Sequence, residues 1–220
     1  MRQLPASPAL LAAALLAAAA PAAARDAVDP GRFSAGSLAG WETKSFKGQT
    51  RYALVRDPAR RGTVLQATSE AAASGLFRRI KVDLTKTPYL NWSWKVTGTY
   101  PGIDEGAKRG DDFPARIYVV VERGMGGMSS IALNYVWASR RGTGAMWASP
   151  YTRQVRLLAV NSGEQGLGTW VRHRRDLRAD LRRAFGEDVT EIDAVAIMTD
   201  SDDAKGSATA FYGDISFTAD

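Results

Sequence analysis

The chain has 220 residues, with 29 Lys and Arg against 23 Asp and Glu, a single His and no Cys. The lack of cysteine excludes disulfides, thiolate nucleophiles, zinc fingers and iron–sulfur clusters, and a single histidine excludes a multi-histidine metal site. The net charge of +6 is compatible with contact to anionic partners.

The N-terminus has the three-part pattern of a secretory signal peptide. Arg2 forms a short basic start, residues 9–20 are apolar, and Ala22 and Ala24 stand at the small-residue cleavage positions. We therefore expect a signal peptide at 1–24, cleaved after Ala24, and a periplasmic or secreted protein with one domain at 25–220. An exported protein meets little nucleic acid, so we expect no such partner, and any contact with a membrane is expected to be peripheral.

Strands follow one another along the remaining chain. In 89–96, for example, Leu90, Trp92 and Trp94 share one face and alternate with polar residues. Similar patterns predict strands at 50–57, 62–69, 74–84, 89–96, 113–123, 129–139, 153–163, 169–177, 192–200 and 207–218. Only 178–186 has helical spacing, with Gly186 as a stop. The pattern predicts an all-β fold, an antiparallel β-sandwich or jelly roll with one short helix.

Two acidic clusters are the main candidates for a binding site. One precedes the strand at 113, and the other follows the strand that ends near 200. If both loops meet at one end of the sandwich, they combine hydrogen-bonding groups with an aromatic ring, as a sugar site requires. The predicted ligand-binding residues are Asp111, Asp112, Arg116, Asn134, Trp137, Asp200, Asp202 and Asp203. For Trp137, burial in the core is the open alternative.

Three further interpretations stay open from the residues alone. Aspartates from the two loops are the residue type of a glycan-active hydrolase, which needs a pair of carboxyl groups, so whether the chain is an enzyme is undecided. The acidic loop at 200–203 also suits a loose calcium site, or is a solvated turn. The arginine-rich segment at 172–183 could be a face that binds the cell envelope, or simply a solvated surface.

Several phrases carry a resemblance to a known family. "GDDFPARIYVVVE", "LNYVWAS", "SPYT" and "IMTDSDDAKGSATAFYGDISF" resemble the exported bacterial family DUF3047, over about residues 38–218. "FYGDISF" is also similar to the last strand of carbohydrate-binding jelly rolls and galactose-binding-like domains. That likeness implies a structural calcium with Asp214 as metal ligand and Glu42 as its companion. The residue types of the two acidic clusters make a polar small molecule or glycan the expected partner.

Overall fold

The computed structural model describes residues 26–125 and 128–220. The predicted signal peptide at 1–24 lies outside the described residues. Within the described residues, no helix has the length and apolar character needed to cross a membrane.

The described residues form fourteen strands and one α-helix. In chain order they are β1 (Ala27–Gly31), β2 (Glu42–Lys47), β3 (Arg51–Asp57), β4 (Gly62–Glu70), β5 (Ala73–Asp83), β6 (Tyr89–Val96), β7 (Arg116–Val121), β8 (Ile131–Ala138), β9 (Met146–Ala148), β10 (Val155–Ser162), β11 (Val171–Asp176), α1 (Leu177–Phe185), β12 (Glu191–Asp200), β13 (Ser207–Tyr212) and β14 (Ile215–Thr218).

These strands form two sheets that pack as a sandwich. Sheet I has the order β1-β14-β6-β13-β4-β3, with β11 paired to the other side of β6. β13 and β14 both pair with β6 and are separated only by Gly213 and Asp214. Sheet II has the order β2-β5-β12-β7-β8-β10-β9.

The predicted antiparallel sandwich is confirmed, with one departure in strand direction. β10 lies between β8 and the short β9; it pairs parallel with β8 and antiparallel with β9. Every predicted strand is found, although the one at 207–218 is split. β1, β2 and β9 were not predicted: β1 contains a proline, β2 is exposed throughout, and β9 has only three residues.

Alternation along the strands separates the core from the outer faces. Leu133, Tyr135 and Trp137 of β8 point between the sheets, where each is fully buried. Asn134 and Val136 therefore lie on the outer face of sheet II. The expectation that Trp137 stacks on a ligand is wrong, because its ring packs near Trp94 and its Nε1–H donates to the Gly163 carbonyl at 3.0 Å.

The helix α1 covers one end of this core. Its first turn is capped by the Asp176 carboxylate, which accepts from the Ala179 amide at 2.9 Å. It ends at Gly186, whose φ of 77° is the left-handed conformation that glycine adopts without a Cβ clash. Leu177 and Leu181 on its inner face are fully buried. The helix therefore follows the predicted span within one residue.

The single histidine is half-buried and packs against the tryptophans of the core. His173 stacks on Trp92 with ring centroids 4.8 Å apart, and Trp94 contacts it edge-on. Its Nε2 lies 2.7 Å from Asn161 Oδ1, which also accepts from Trp94 Nε1 at 2.8 Å. Because that oxygen is an acceptor only, His173 is the donor and carries its proton on Nε2.

We expect His173 to make the protein acid-sensitive. Burial, aided by Arg175, lowers the pKa of His173 from 6.5 to about 4. Between these values the unfolded chain binds a proton that the folded chain does not, so the free energy of unfolding falls as pH drops through this window. The loss should approach about 2–3 kcal/mol near pH 4. Urea unfolding of wild type and His173→Gln at several pH values measures it; identical pH profiles would contradict the assignment.

Candidate functional site

A pocket of about 390 Å³ lies on the outer face of sheet II. Its floor is formed where β12, β7, β8 and β10 run side by side. Arg116 and Tyr118 project from β7 into the pocket, since Ile117 and Val119, which alternate with them, point into the core. We call this cavity the acidic pocket, and its lining includes Asp111, Arg116, Tyr118, Asn134, Leu157, Met198, Asp200, Asp202 and Asp203.

A buried ion pair lies at the centre of the floor of this pocket. Arg116 and Asp200 are each only 3 % exposed at the side chain. The guanidinium donates to both Asp200 oxygens, through Nε at 2.9 Å and through Nη2. Asp200 Oδ1 also accepts from the Phe113 amide at 3.1 Å. Burial raises the pKa of Asp200, and Arg116 opposes that rise; we assign an ionised carboxylate, since a bidentate guanidinium favours the charged form.

The same arginine holds the first acidic loop. Its Nη2 also donates to the Asp111 carbonyl, and Nη1 lies 3.6 Å from Asp111 Oδ2. The ring of Phe113 packs under the guanidinium, 4.4 Å from its carbon. Nη1 donates to the Tyr118 hydroxyl at 3.0 Å. One side chain on β7 therefore connects the loop before β7 with the end of β12.

The second acidic loop is fixed by its serine and by a carboxylate. Ser201 is fully buried, with its hydroxyl 2.9 Å from that of Ser69. The Ala204 amide donates to Asp112 Oδ2 across the gap between the two loops. Asp202 and Asp203 are held at the rim between these anchors, and Lys47 lies 3.5 Å from Asp202.

The two predicted clusters therefore meet at one mouth. Asp112, Asp202 and Asp203 each offer one carboxylate oxygen, and these three oxygens lie within 4.8 Å of one another. Burial, together with the charges of Asp202 and Asp203, raises the pKa of Asp112 to about 6, although the Ala204 amide and Arg116 act against it. Asp112 Oδ1 is buried and has no hydrogen-bond partner among the described residues.

Asn134 is the most unusual group in the pocket. Its side chain is 1 % exposed, yet neither its Oδ1 nor its Nδ2 has a partner among the described residues. Its cross-strand neighbours are Tyr118 on β7 and Leu157 on β10. A buried amide without partners costs about 1–3 kcal/mol. Such a group is well placed to hydrogen-bond a molecule that enters the pocket.

Two exposed aromatic residues flank the mouth, and the sequence analysis missed both. Phe46 is 59 % exposed and Tyr151 is 56 % exposed, and both line the pocket. A register shift between Ser45 and Lys47 leaves Phe46 outside the regular pairing of β2, and such bulges redirect side chains. "SPYT" was the only available signal for Tyr151, which lies on the loop between β9 and β10.

The residues of the predicted metal pair lie on different sheets. Asp214 lies between β13 and β14 of sheet I, and both of its oxygens accept from Ser34, through the amide at 2.7 Å and through the hydroxyl. Glu42 is exposed on β2, an edge strand of sheet II. In the part of the chain that the structure describes, neither belongs to the group of three acids whose oxygens come together. A calcium ion shared by Asp214 and Glu42 stays a prediction.

The arginine-rich segment does not form one basic face. Arg175 pairs with Asp180 through two hydrogen bonds. Arg178 and Arg182 both pair with Asp188. Because of alternation along β11 and these ion pairs, the arginines do not form a single basic surface. The positive charge of the helical part is largely neutralised.

Comparison with solved structures finds a similar β-sandwich fold in carbohydrate-binding modules. The family 30 carbohydrate-binding module of a cellulosomal cellulase from Clostridium thermocellum is 10% identical, with a TM-score of 0.50, over 88% of this chain and 98% of that chain. The family 11 module of another cellulosomal cellulase from that organism is 10% identical, with a TM-score of 0.47, over 87% and 94%. At these identities the likeness defines the fold alone.

The sequence itself identifies the family. The chain belongs to the family described as "Protein of unknown function (DUF3047)", whose model matches residues 39–216. The resemblance stated from sequence is thereby confirmed. No curated protein matches the chain in a sequence search.

We expect loss of the ion pair of Arg116 with Asp200 to destabilise the fold strongly. Arg116→Met leaves a buried carboxylate without its partner, which should cost about 3–5 kcal/mol of unfolding free energy. Urea unfolding followed by tryptophan fluorescence measures the loss.

The matched control is Arg79→Met, which breaks the 2.6 Å pair with Glu122. The side chains of Arg79 and Glu122 are 81 % and 42 % exposed. Loss of this pair should therefore lower the free energy of unfolding by no more than about 1 kcal/mol. Equal losses in the two variants would show that burial of the Arg116 pair carries no special weight.

Proposed function

We propose that this exported protein binds a carbohydrate in the acidic pocket. The single observation that supports this most strongly is Asn134, a buried amide with a free donor and a free acceptor among the described residues. An amide that offers both can hydrogen-bond a sugar hydroxyl in either direction. The periplasmic or secreted location is part of the same proposal and rests on the signal-peptide pattern at 1–24.

The rim of the pocket supports a sugar rather than another polar ligand. Phe46 and Tyr151 are exposed rings at the mouth, and a ring stacks on the apolar face of a pyranose. Asp202 and Asp203 add acceptors for hydroxyl groups. Their negative charge, together with that of Asp111, favours a neutral glycan over an acidic one, because like charges repel. The carbohydrate-binding modules with a similar fold are consistent with this choice of ligand.

The pocket suits binding better than hydrolysis. A glycosidase needs one carboxyl group to donate a proton and another to act as nucleophile or base. Asp200 is occupied by Arg116, and Asp112 is fully buried beneath the rim. Only Asp111, Asp202 and Asp203 of the predicted aspartates line the cavity without such a bidentate partner. We therefore place the hydrolase second.

We expect Asn134→Ala to weaken glycan binding by about tenfold, since each good hydrogen bond to a ligand contributes about 1–1.5 kcal/mol. The ligand is first selected on an array of neutral oligosaccharides, and the affinity is then measured by calorimetry. Release of shortened sugars, lost in Asp202→Asn, would favour the hydrolase instead.

Two matched variants make this test specific. Asn91→Ala alters an amide on sheet I and should leave the affinity for the neutral glycan unchanged. Tyr151→Phe should keep the stacking ring and most of the affinity, whereas Tyr151→Ala should lose both. Binding that is indifferent to Asn134 and Tyr151 would contradict the proposed site.

A structural calcium ion belongs to this proposal at Asp112, Asp202 and Asp203. Three carboxylate oxygens within 4.8 Å of one another are the hard ligands that Ca²⁺ prefers. The Oδ1 atom of Asp112 also has no hydrogen-bond partner among the described residues. Bound there, the ion would screen the mutual repulsion of the two acidic loops.

We expect CaCl₂ to raise the midpoint of thermal unfolding by about 4 °C or more relative to EDTA. Asp202→Asn should abolish the rise. Asp29→Asn changes an exposed carboxylate on β1 of sheet I and should preserve it. A midpoint that is the same in CaCl₂ and EDTA would exclude the ion, and would leave the glycan proposal untouched.

A further inference from the structure

A second cavity lies on the outer side of sheet I. It has a volume of about 880 Å³ and is lined by β11, β6 and the turns around Arg60 and Gly213. Arg172 and Arg174 of β11 are exposed and line it, and they lie on the face of the strand opposite to the ring of His173, which stacks on Trp92. We call this cavity the basic groove.

Three guanidinium groups in this groove lack an acidic partner. Arg60, Arg172 and Arg174 form no ion pair with any residue in the described ranges. Asp214 is the one carboxylate in the lining, and Ser34 already donates to both of its oxygens. The groove therefore keeps an excess of positive charge, whereas Arg175, Arg178 and Arg182 of the same segment are paired with acids.

Arg60 packs against an aromatic ring in this groove. Its guanidinium lies over the ring of Trp170, 4.2 Å from the ring centroid, and Trp170 in turn donates to Asp57 at 3.2 Å. The guanidinium also lies close to Gly213, where an added Cβ would come within 2.3 Å of Arg60 Nη1. Burial and the neighbouring charge of Arg172 lower the pKa of Arg60, and Asp214 and Asp57 oppose this shift. Neighbouring cations that repel one another are suited to an anionic ligand.

Neutral polar groups line the same cavity. Asn91 and Ser93 of β6 are among the groove residues. They stand opposite Arg174 and Arg172 in the register of β6 with β11. The lining thus combines cations with neutral hydrogen-bonding groups along one strand.

We infer that the basic groove is a second binding site, which takes an acidic polysaccharide through the carboxylates of its sugars. Arg172 and Arg174 are two residues apart on one face of β11, about 7 Å along the strand, and can pair with charges along an extended chain. Neutral groups such as Asn91 then meet the hydroxyls. This inference is independent of the ligand in the acidic pocket, whose charge has the opposite sign.

An anionic membrane fits this surface less well. A bilayer is a broad surface, whereas these arginines line a recess. Membrane-binding proteins also insert exposed apolar side chains. The large exposed apolar residues in the described part of the chain are Phe46, Met125, Met128 and Tyr151, and the groove contains none of them.

Calorimetric titration with oligogalacturonate, a chain of carboxylated sugars, tests the inference. We expect binding that weakens as NaCl rises from about 50 to about 200 mM. The double variant R172Q/R174Q should lose at least about tenfold in affinity. The control R178Q/R182Q removes the same charge from the helix, where both arginines pair with Asp188, and should bind as wild type does.

Each remaining outcome is decisive. No binding of oligogalacturonate, or equal losses in the two double variants, would overturn the inference. Retention on vesicles of phosphatidylglycerol, in preference to the oligosaccharide and lost in R172Q/R174Q, would replace it with membrane binding. Asn134→Ala should leave oligogalacturonate binding intact, so failure of the acidic pocket and failure of the basic groove are separable. Unchanged thermal unfolding midpoints confirm that the surface variants are folded.

Discussion

The ion pair between Arg116 and Asp200 determines the geometry of the acidic pocket. Arg116 lies in β7 and Asp200 ends β12, and these two strands are neighbours at the centre of sheet II. The guanidinium also reaches the backbone and carboxylate of Asp111, while the Phe113 amide donates to Asp200. Because each group satisfies several partners, the desolvation cost of the two charges is offset by hydrogen bonds in fixed directions. Both acidic loops are thereby anchored to one place.

Arg116 neutralises the charge of Asp200. The acidic character of the pocket mouth therefore comes from Asp111, Asp202 and Asp203. Asn134 lies deeper, on the floor, without a partner among the described residues. The pocket therefore has a charged rim, exposed rings and a neutral polar floor. The basic groove on sheet I has the opposite charge, because its lining contains three arginines and one aspartate.

The sequence predicts most of the sandwich because alternation in a half-buried strand is a local signal. The span 89–96 coincides with β6, and the two acidic loops do meet. Trp137 shows the limit: it alternates with Asn134 on β8, so only one of them can face the pocket, and volume decides which fills the core. Phe46 and Tyr151 carry no such signal, since a β-bulge and a loop place them. The pairing of Arg116 with Asp200 depends on strand order, which alternation does not encode.

The charges on the outermost strands have a consequence for how copies of the chain meet. In sheet I, β3 begins with Arg51 and contains Arg56, and β11 carries three arginines in six residues. In sheet II, β2 includes two lysines, and the opposite border, β9, has only three residues. β1 contains Pro30, which cannot donate to a neighbouring strand. Two molecules that approach border to border therefore meet repulsion or an interrupted ladder, which protects an open sandwich against growth into fibrils.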